Sequence, residues 1–387
     1  MIHTRFLFVL LLVLASVVSV NAERSNIQEF GATPNDESDD TLAILKALAA
    51  CDKAGGGEVF VPAGTYMISR QGSESPILEL PSNTTLLGEG AASILKFDPK
   101  VNQTNFWRMM GVSSKDCRNL TVRDLHLDGS NTFKSYEPGK TPEHNHGMFF
   151  YRKKGVIENV TIQNCLVENF SGDCIGLGLG CRNMTIRNVT MKNFVRQGIQ
   201  MGGGNGARDY LVTGCQDLEG EVKPGGSTIH VEHARGLQNV IIAGNRCHNS
   251  LLAGGVDGII IRDNVISGRL IGNGNSNAII QSNLVRGPEK AGIIVQFGYA
   301  DGLIMKDNII IGNHDEAGGI YVWGTSRYNP APSRDITISG NLLRVAGRGI
   351  FLNGTQDARV QSNIIKSTDP NQRVVLQRSE RIAIEAE

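Results

Sequence analysis

The sequence predicts an all-β solenoid in which short parallel strands stack coil upon coil, and three observations predict it. From about residue 119 a strand-length apolar alternation recurs, as in "NVTIQN", "NMTIRN", "NVIIAGN", "GIIIRDN", "NAIIQSN", "GLIMKDN" and "DITISGN". Placing Ile162, Ile186, Val212, Ile242, Ile261, Ile280, Met305, Ile338 and Val360 at one phase gives a period of roughly 19 to 33 residues, the length of a solenoid coil. Asn245, Asn264, Asn283, Asn308, Asn341 and Asn363 share one turn position, where Asn tolerates left-handed geometry and its amide can bond the Asn of the next coil. No two-residue hairpin signals join the strands, so parallel stacking must satisfy both their backbone groups and their apolar faces. A β-propeller would need longer strands and blades of about 40 residues.

The elements follow in chain order. Residues 2–22 begin with Arg5, continue through "FLFVLLLVLASVVSV" and end at "VNA", which reads as a cleaved secretory signal peptide. A single spanning helix is the alternative. The expected location is secreted or periplasmic, with no membrane contact after cleavage. Residues 23–375 then form one elongated domain, because no linker or charge run interrupts them, and 376–387 are expected as a C-terminal tail. Within "DDTLAILKALAACDKAGGG" an amphipathic helix is predicted over about 40–54. Asp39 or Asp40 is its N-cap, Leu42, Leu45, Leu48 and Ala49 form its buried face, and Gly55 lies beyond its end. It would cover the open edge of the first coil.

Lys and Arg number 38, as do Asp and Glu, so no global field recruits nucleic acid. Seven cysteines, an odd number without C-x-x-C spacing, imply neither a disulfide framework nor a zinc site and are expected as buried core thiols. The sequons at Asn159, Asn183 and Asn188 fall inside predicted strands and turns, which disfavours their glycosylation. No nucleotide or haem motif occurs and no acidic cluster resembles a calcium cage, so no cofactor and no metal is expected.

The stretch "FGATPNDESDDTLAILKALAACDKAGGGEVFVPAGTYMI" resembles the N-terminal signature of the pectate lyase superfamily. That group includes polygalacturonase-like hydrolases, phage tailspike depolymerases and alginate C5-epimerases. The resemblance, carried by the repeats over nearly the whole mature chain, implies a right-handed single-stranded parallel β-helix exported to act on polysaccharide. The chemistry departs from the family's patterns. "SGDCIGLGLGCRNMTIRN" is similar to the polygalacturonase segment with adjacent aspartates, yet only Asp173 remains, followed by Cys174. The expected "GHG" reads "RQG" at Arg196 to Gly198, and "NTDG" reads "NHG" at Asn145 to Gly147. Against the epimerase motif "Y-G-F-D-P-H", the Asp and His positions fall on Gly176 and Gly178.

Alternation within the G-I-x-V strands turns Ile and Val inward. Aligning Met148, Ile175, Ile199 and Ile229 sets Phe149, Gly176, Gln200 and His230 in one outward column, and Tyr151, Gly178, Gly202 and Glu232 in the next. Two glycine-rich coils, "GLGLG" and "MGGGNG", are expected to leave a trough about 10 Å wide between Tyr151 and Glu232. His144, His146, Asp173, His230, Glu232 and His233 gather at its walls, with Gln197 at a strand start and Tyr321 and Trp323 as outward aromatics further along.

Two mechanisms fit these residues. A hydrolase would use Asp173 and Glu232, roughly 10 Å apart by coil spacing, which favours inversion over retention. A lyase or epimerase acting on a uronate would use His146 or His230 as base and Tyr151 as acid, with Arg152, Lys153 and Lys154 neutralising the carboxylate. Arg152, Lys153, Gln197, Gln200, His233, Tyr321 and Trp323 are the candidate substrate contacts. The third reading is a protein that binds glycan without turnover.

Overall fold

Strands too short to pair as hairpins find their hydrogen bonds in the coil above and the coil below. The computed structural model describes residues 24–385 except 73, 99–106, 131–143, 221–225, 233, 289–291, 313–316 and 325–330. The segment 2–22 read as a signal peptide lies outside the described residues. Three parallel sheets, one of 14 strands and two of 12, run the length of the molecule. One coil consists of Ile157–Gln163 in the first sheet, Leu166–Phe170 in the second and Ile175–Leu177 in the third, before Cys181–Arg187 returns to the first.

Every residue of the expected phase stacks on its counterpart. Ile162 pairs with Ile186, Ile186 with Val212, Val212 with Ile242, and so on through Ile261, Ile280, Met305 and Ile338 to Val360. All of them are buried. Each such side chain contributes about 1.5–3 kcal/mol by leaving water.

The six expected asparagines form a buried ladder. From Asn245 to Asn341, each Nδ2 donates to Oδ1 of the next Asn at 2.9–3.0 Å, and each backbone N–H donates to the same oxygen. The left-handed backbone, however, falls one residue earlier, on Gly244, Asp263, Ser282, Asp307, Gly340 and Ser362. The turn reverses at that residue so that the following amide can point inward. Second, more exposed ladders run through Asn83, Asn119, Asn159 and Asn183 and through Asp124, Asn164 and Asn188. The three sequon asparagines therefore hold coils together through their amides.

The N-terminal helix spans Thr41–Lys53 and packs against the core. Its buried residues are Ala43, Ile44, Ala47, Leu48 and Cys51, whereas Leu42 is exposed at 55% and Ala49 is exposed. The expected apolar face is thus rotated by about one position, with Ala43, Ile44 and Ala47 turned toward the core in place of Leu42 and Ala49. Asp39 accepts the Thr41 N–H at 2.9 Å, while Asp40 turns inward and accepts from Thr33 and Met67. At the other end the expected tail continues the solenoid. Val374–Gln377 pairs with Ile350–Asn353 and Glu380–Ile384 with Thr355–Gln361, and Val374 and Ile382 rest on the core.

All seven cysteines are buried and free. Burial pushes the thiol of Cys117 up to about 11 and those of Cys165, Cys181 and Cys215 up to about 12. Native protein should therefore leave a disulfide-exchange dye unreacted at neutral pH, with seven thiols appearing only in denaturant; rapid reaction of the folded chain would contradict this burial. Asn308→Ala removes the acceptor for the Asn283 backbone and amide and the donor to Ile280 O. It should cost roughly 2–3 kcal/mol in chemical denaturation, against under about 1 kcal/mol for Asn239→Gly, which removes one exposed hydrogen bond from the Asn239 amide to Asp209.

Candidate functional site

The third sheet carries the face on which the outward columns lie. Phe149, Gly176, Gln200 and His230 are in register across four consecutive coils. The column continues through Leu252, Ile271 and Gln296 to Tyr321. Tyr151, Gly178, Gly202 and Glu232 follow one step along, each backbone N–H donating to the preceding coil.

The trough is half as wide as its glycines suggest. The Phe149 ring leans over Gly176, where a Cβ would meet Cδ2 at 2.4 Å, and the Tyr151 ring leans over Gly178, where it would meet Cδ2 at 2.7 Å. Those two glycines make room for aromatic rings. At Gly202 no ring intervenes, and a Cβ would meet the carbonyl oxygens of Leu177 at 3.3 Å and Glu232 at 3.6 Å and the Gln200 Nε2 at 3.7 Å. The open gap is therefore one coil wide, floored by Gly202, with Tyr151 on one side, His230 and Glu232 on the other, and half-buried Gln200 beside it.

An ion network runs behind this gap. Asp173 is 1% exposed and His146 2%. Asp173 Oδ1 accepts the Gln197 N–H at 3.1 Å. Its Oδ2 lies 3.2 Å from His146 Nδ1 and 3.7 Å from Arg196 Nη1. Arg196 reaches onward to Glu232 Oε2 at 3.3 Å and to His144 Nδ1 at 3.0 Å. His146 Nδ1 also faces the Asp173 backbone N–H at 2.9 Å. A neutral ring accepts that N–H, and a ring protonated at Nδ1 donates to the carboxylate, so His146 has a partner in either state.

Three coils before Gly202, Arg108 lies over the Phe149 ring at 4.0 Å and pairs in register with His146. Burial lowers its guanidinium to about 10, opposed by the nearby Tyr151 and Asp173, so it stays cationic at neutral pH. A stack of rings, His146, Phe149 and Tyr151, with centroids 5.1 and 6.1 Å apart, forms this wall.

The remaining candidates separate into groups. Arg152 is committed to Ser113 O, Ser114 O and Asp116, which ties down a turn and leaves its guanidinium away from the gap. Lys153 is exposed on the same turn. Gln197 is buried, its Oε1 accepting the Ser227 N–H at 2.7 Å, so it staples neighbouring strand starts. His233 lies outside the described residues. Tyr321 and Trp323 occupy the two outward columns four coils beyond His230 and Glu232, about 19 Å along the axis. The Tyr321 hydroxyl accepts from Arg348 at 3.1 Å, and Trp323 packs edge-on against Tyr299. Two functional candidates escaped sequence reasoning. Arg196 was visible only as the first residue of the divergent "RQG", and Arg108 had no motif at all. Among the described residues no group of three or more His, Cys, Asp or Glu is arranged to hold a metal ion.

Comparison with known proteins agrees with this architecture. The family model described as rhamnogalacturonase A/epimerase, pectate lyase-like, matches residues 25–133, and the right-handed β-helix region matches 177–343 and 227–386. Mannuronan C5-epimerase AlgE6 of Azotobacter vinelandii is 32% identical over 158 residues, 38% of this chain and 17% of that protein. Alginate lyase 7 of the same organism is 27% identical over 173 residues, 42% of this chain and 19% of its own. The chain thus matches under a fifth of the length of either relative. In fold, the A-module of AlgE6 superposes with a TM-score of 0.62 at 19% identity, covering 94% of this chain and 100% of that one. An exopolygalacturonase from Thermotoga maritima gives 0.66 at 17%, covering 89% and 92%. With the helix-region matches together covering residues 177–386, more than half its length, the chain belongs to the right-handed β-helix proteins, and residues 25–133 match the pectate lyase-like model.

Proposed function

We propose that this chain is exported and acts on a uronate-containing polysaccharide by removing the proton at C5, with chain cleavage by β-elimination as its reaction. The observation that carries the reading is the one-coil gap over Gly202, with Tyr151 on one wall and His230 with Glu232 on the other. A sugar ring lying there meets a group able to give a proton and a group able to take one from different sides. Arg196, which reaches Glu232 at the gap's wall, supplies the positive charge that a uronate carboxylate requires, in place of Arg152 and Lys153.

Hydrolysis by Asp173 and Glu232 fits less well. A glycosidase acid must touch the glycosidic oxygen, and the Asp173 carboxylate is 1% exposed and engaged with Gln197, His146 and Arg196. Its role in this reading is to orient His146 and Arg196. Epimerisation is the second reading. It uses the same proton removal and returns the proton to the opposite face, and the similarity to proteins named mannuronan C5-epimerases favours it.

Incubation with polymannuronate, alginate, pectate and neutral glycans distinguishes these reactions. Elimination raises unsaturated-uronate absorbance together with reducing ends, and Tyr151→Phe and Glu232→Gln should each lower the rate by about 10²- to 10⁴-fold. Reducing ends without unsaturation would instead indicate hydrolysis. With neither signal, incorporation of solvent deuterium at C5, read by NMR, would identify an epimerase, and its absence would refute proton removal. The ion network makes a separate prediction about stability. Arg196→Met leaves Asp173 buried without its cation and should cost roughly 3–5 kcal/mol in chemical denaturation, most of it recovered by adding Asp173→Asn.

A further inference from the structure

Glycine is required where φ is positive or where a side chain would collide, and neither condition holds at Gly254. A Cβ there would meet only the carbonyl oxygens of Asn273 at 3.4 Å and Val231 at 3.7 Å, ordinary contact distances. The strand Leu251–Gly254 would accept a side chain at this outward position, and its absence leaves a concavity of about 320 Å³ beside the gap. His230 and Glu232 form its near wall, Leu252 and Ile271 its floor, Asn273 its far edge, and Arg235 stands exposed at the rim.

The floor is aliphatic where its immediate neighbours in the column are polar. His230, Leu252 and Ile271 are in register in one outward column, which carries Gln200 one coil before and Gln296 one coil after. Two aliphatic side chains therefore replace polar ones over two coils adjoining the acid–base groups. Hydroxyls or a carboxylate pressed onto Leu252 and Ile271 would lose water without gaining hydrogen bonds. A methyl group would gain by the same contact.

We propose that this groove is a subsite for a sugar residue carrying a methyl group, as an O-acetyl ester or as a 6-deoxy carbon, next to the residue that lies over Gly202. It rests on the reading of that gap as the reactive site, since His230 and Glu232 line both. The groove selects by shape and desolvation: the methyl group fills the space above Gly254 against Leu252 and Ile271, and Arg235 meets a polar or anionic group on the same ring.

Calorimetry with the full chain tests this through binding, with Tyr151→Phe as background so that turnover does not intrude. The probes are O-acetylated polymannuronate, the same polymer after alkaline deacetylation, and a 6-deoxyhexose polymer. The acetylated polymer should bind roughly five- to tenfold more tightly than its deacetylated form. The ratio should fall to about one in Leu252→Ser/Ile271→Ser. It should also fall in Gly254→Val, which fills the groove from the solvent side, and unchanged thermal melting of that variant keeps the test independent of folding. Tight binding of the 6-deoxyhexose polymer alone assigns the methyl to C6, and of the acetylated polymer alone to the ester. Equal or tighter binding of the deacetylated polymer with no binding of the 6-deoxyhexose polymer, a preference that survives both variants, or no binding of any probe overturns the proposal. Preference without turnover by the wild-type chain removes the proton-abstraction reading and leaves the subsite standing; turnover without preference does the reverse.

Discussion

The register between successive coils is the constraint on which everything else depends. Parallel strands about 4.8 Å apart can exchange hydrogen bonds only in phase, and a one-residue slip would turn Ile186, Val212 and Ile242 out of the core together. Variation in coil length, from 19 residues between Asn245 and Asn264 to 40 between Val122 and Ile162, is therefore confined to the turns. The same register aligns outward residues from distant parts of the chain. Tyr151 and Glu232 border one gap because Gly178 and Gly202 hold the coils between them in phase.

The parts of the molecule that this periodicity controls were legible in the sequence. The nine phase residues, the asparagine ladder and the two outward columns all follow from a two-residue alternation and a repeat. What escaped lies where alternation stops. The left-handed residue in each turn precedes the asparagine, because only that reversal lets the amide enter the core. The helix face shifted by about one position, with Ala43, Ile44 and Ala47 turned toward the core in place of Leu42 and Ala49. Asp173 and Arg196 lie in the turns that precede Ile175–Leu177 and Ile199–Met201, where no pleat dictates facing, so neither the burial of one nor the reach of the other could be read from spacing.

Arg196 explains why the acidic residues of the site have unequal roles. A carboxylate buried as deeply as Asp173 is costly unless countercharge and hydrogen bonds replace its lost water. Arg196 and the Gln197 N–H provide them. The guanidinium spans to Glu232, which at 27% side-chain exposure remains in contact with solvent. One cation thus fixes a buried anion and orients an accessible one.

The glycines of this face divide on a physical criterion, and the division separates architecture from function. Gly176, Gly178 and Gly298 lie beneath Phe149, Tyr151 and Trp323, so a side chain at any of them would displace a ring. Gly202 and Gly254 lie beneath no ring and neither has left-handed φ; at Gly254 alanine would make only ordinary contacts and cost less backbone entropy, whereas at Gly202 the Leu177 carbonyl, 3.3 Å from a Cβ, would have to give slightly. A residue that the backbone does not need and stability disfavours is best explained by the space it leaves. Both glycines adjoin Glu232, one on each side, so the unfilled volume is centred on the exposed end of the ion network. Walls built from Tyr151, His230 and Glu232 with floors kept free of side chains are what a site needs if a bulky ring must come within hydrogen-bonding reach of groups that exchange protons.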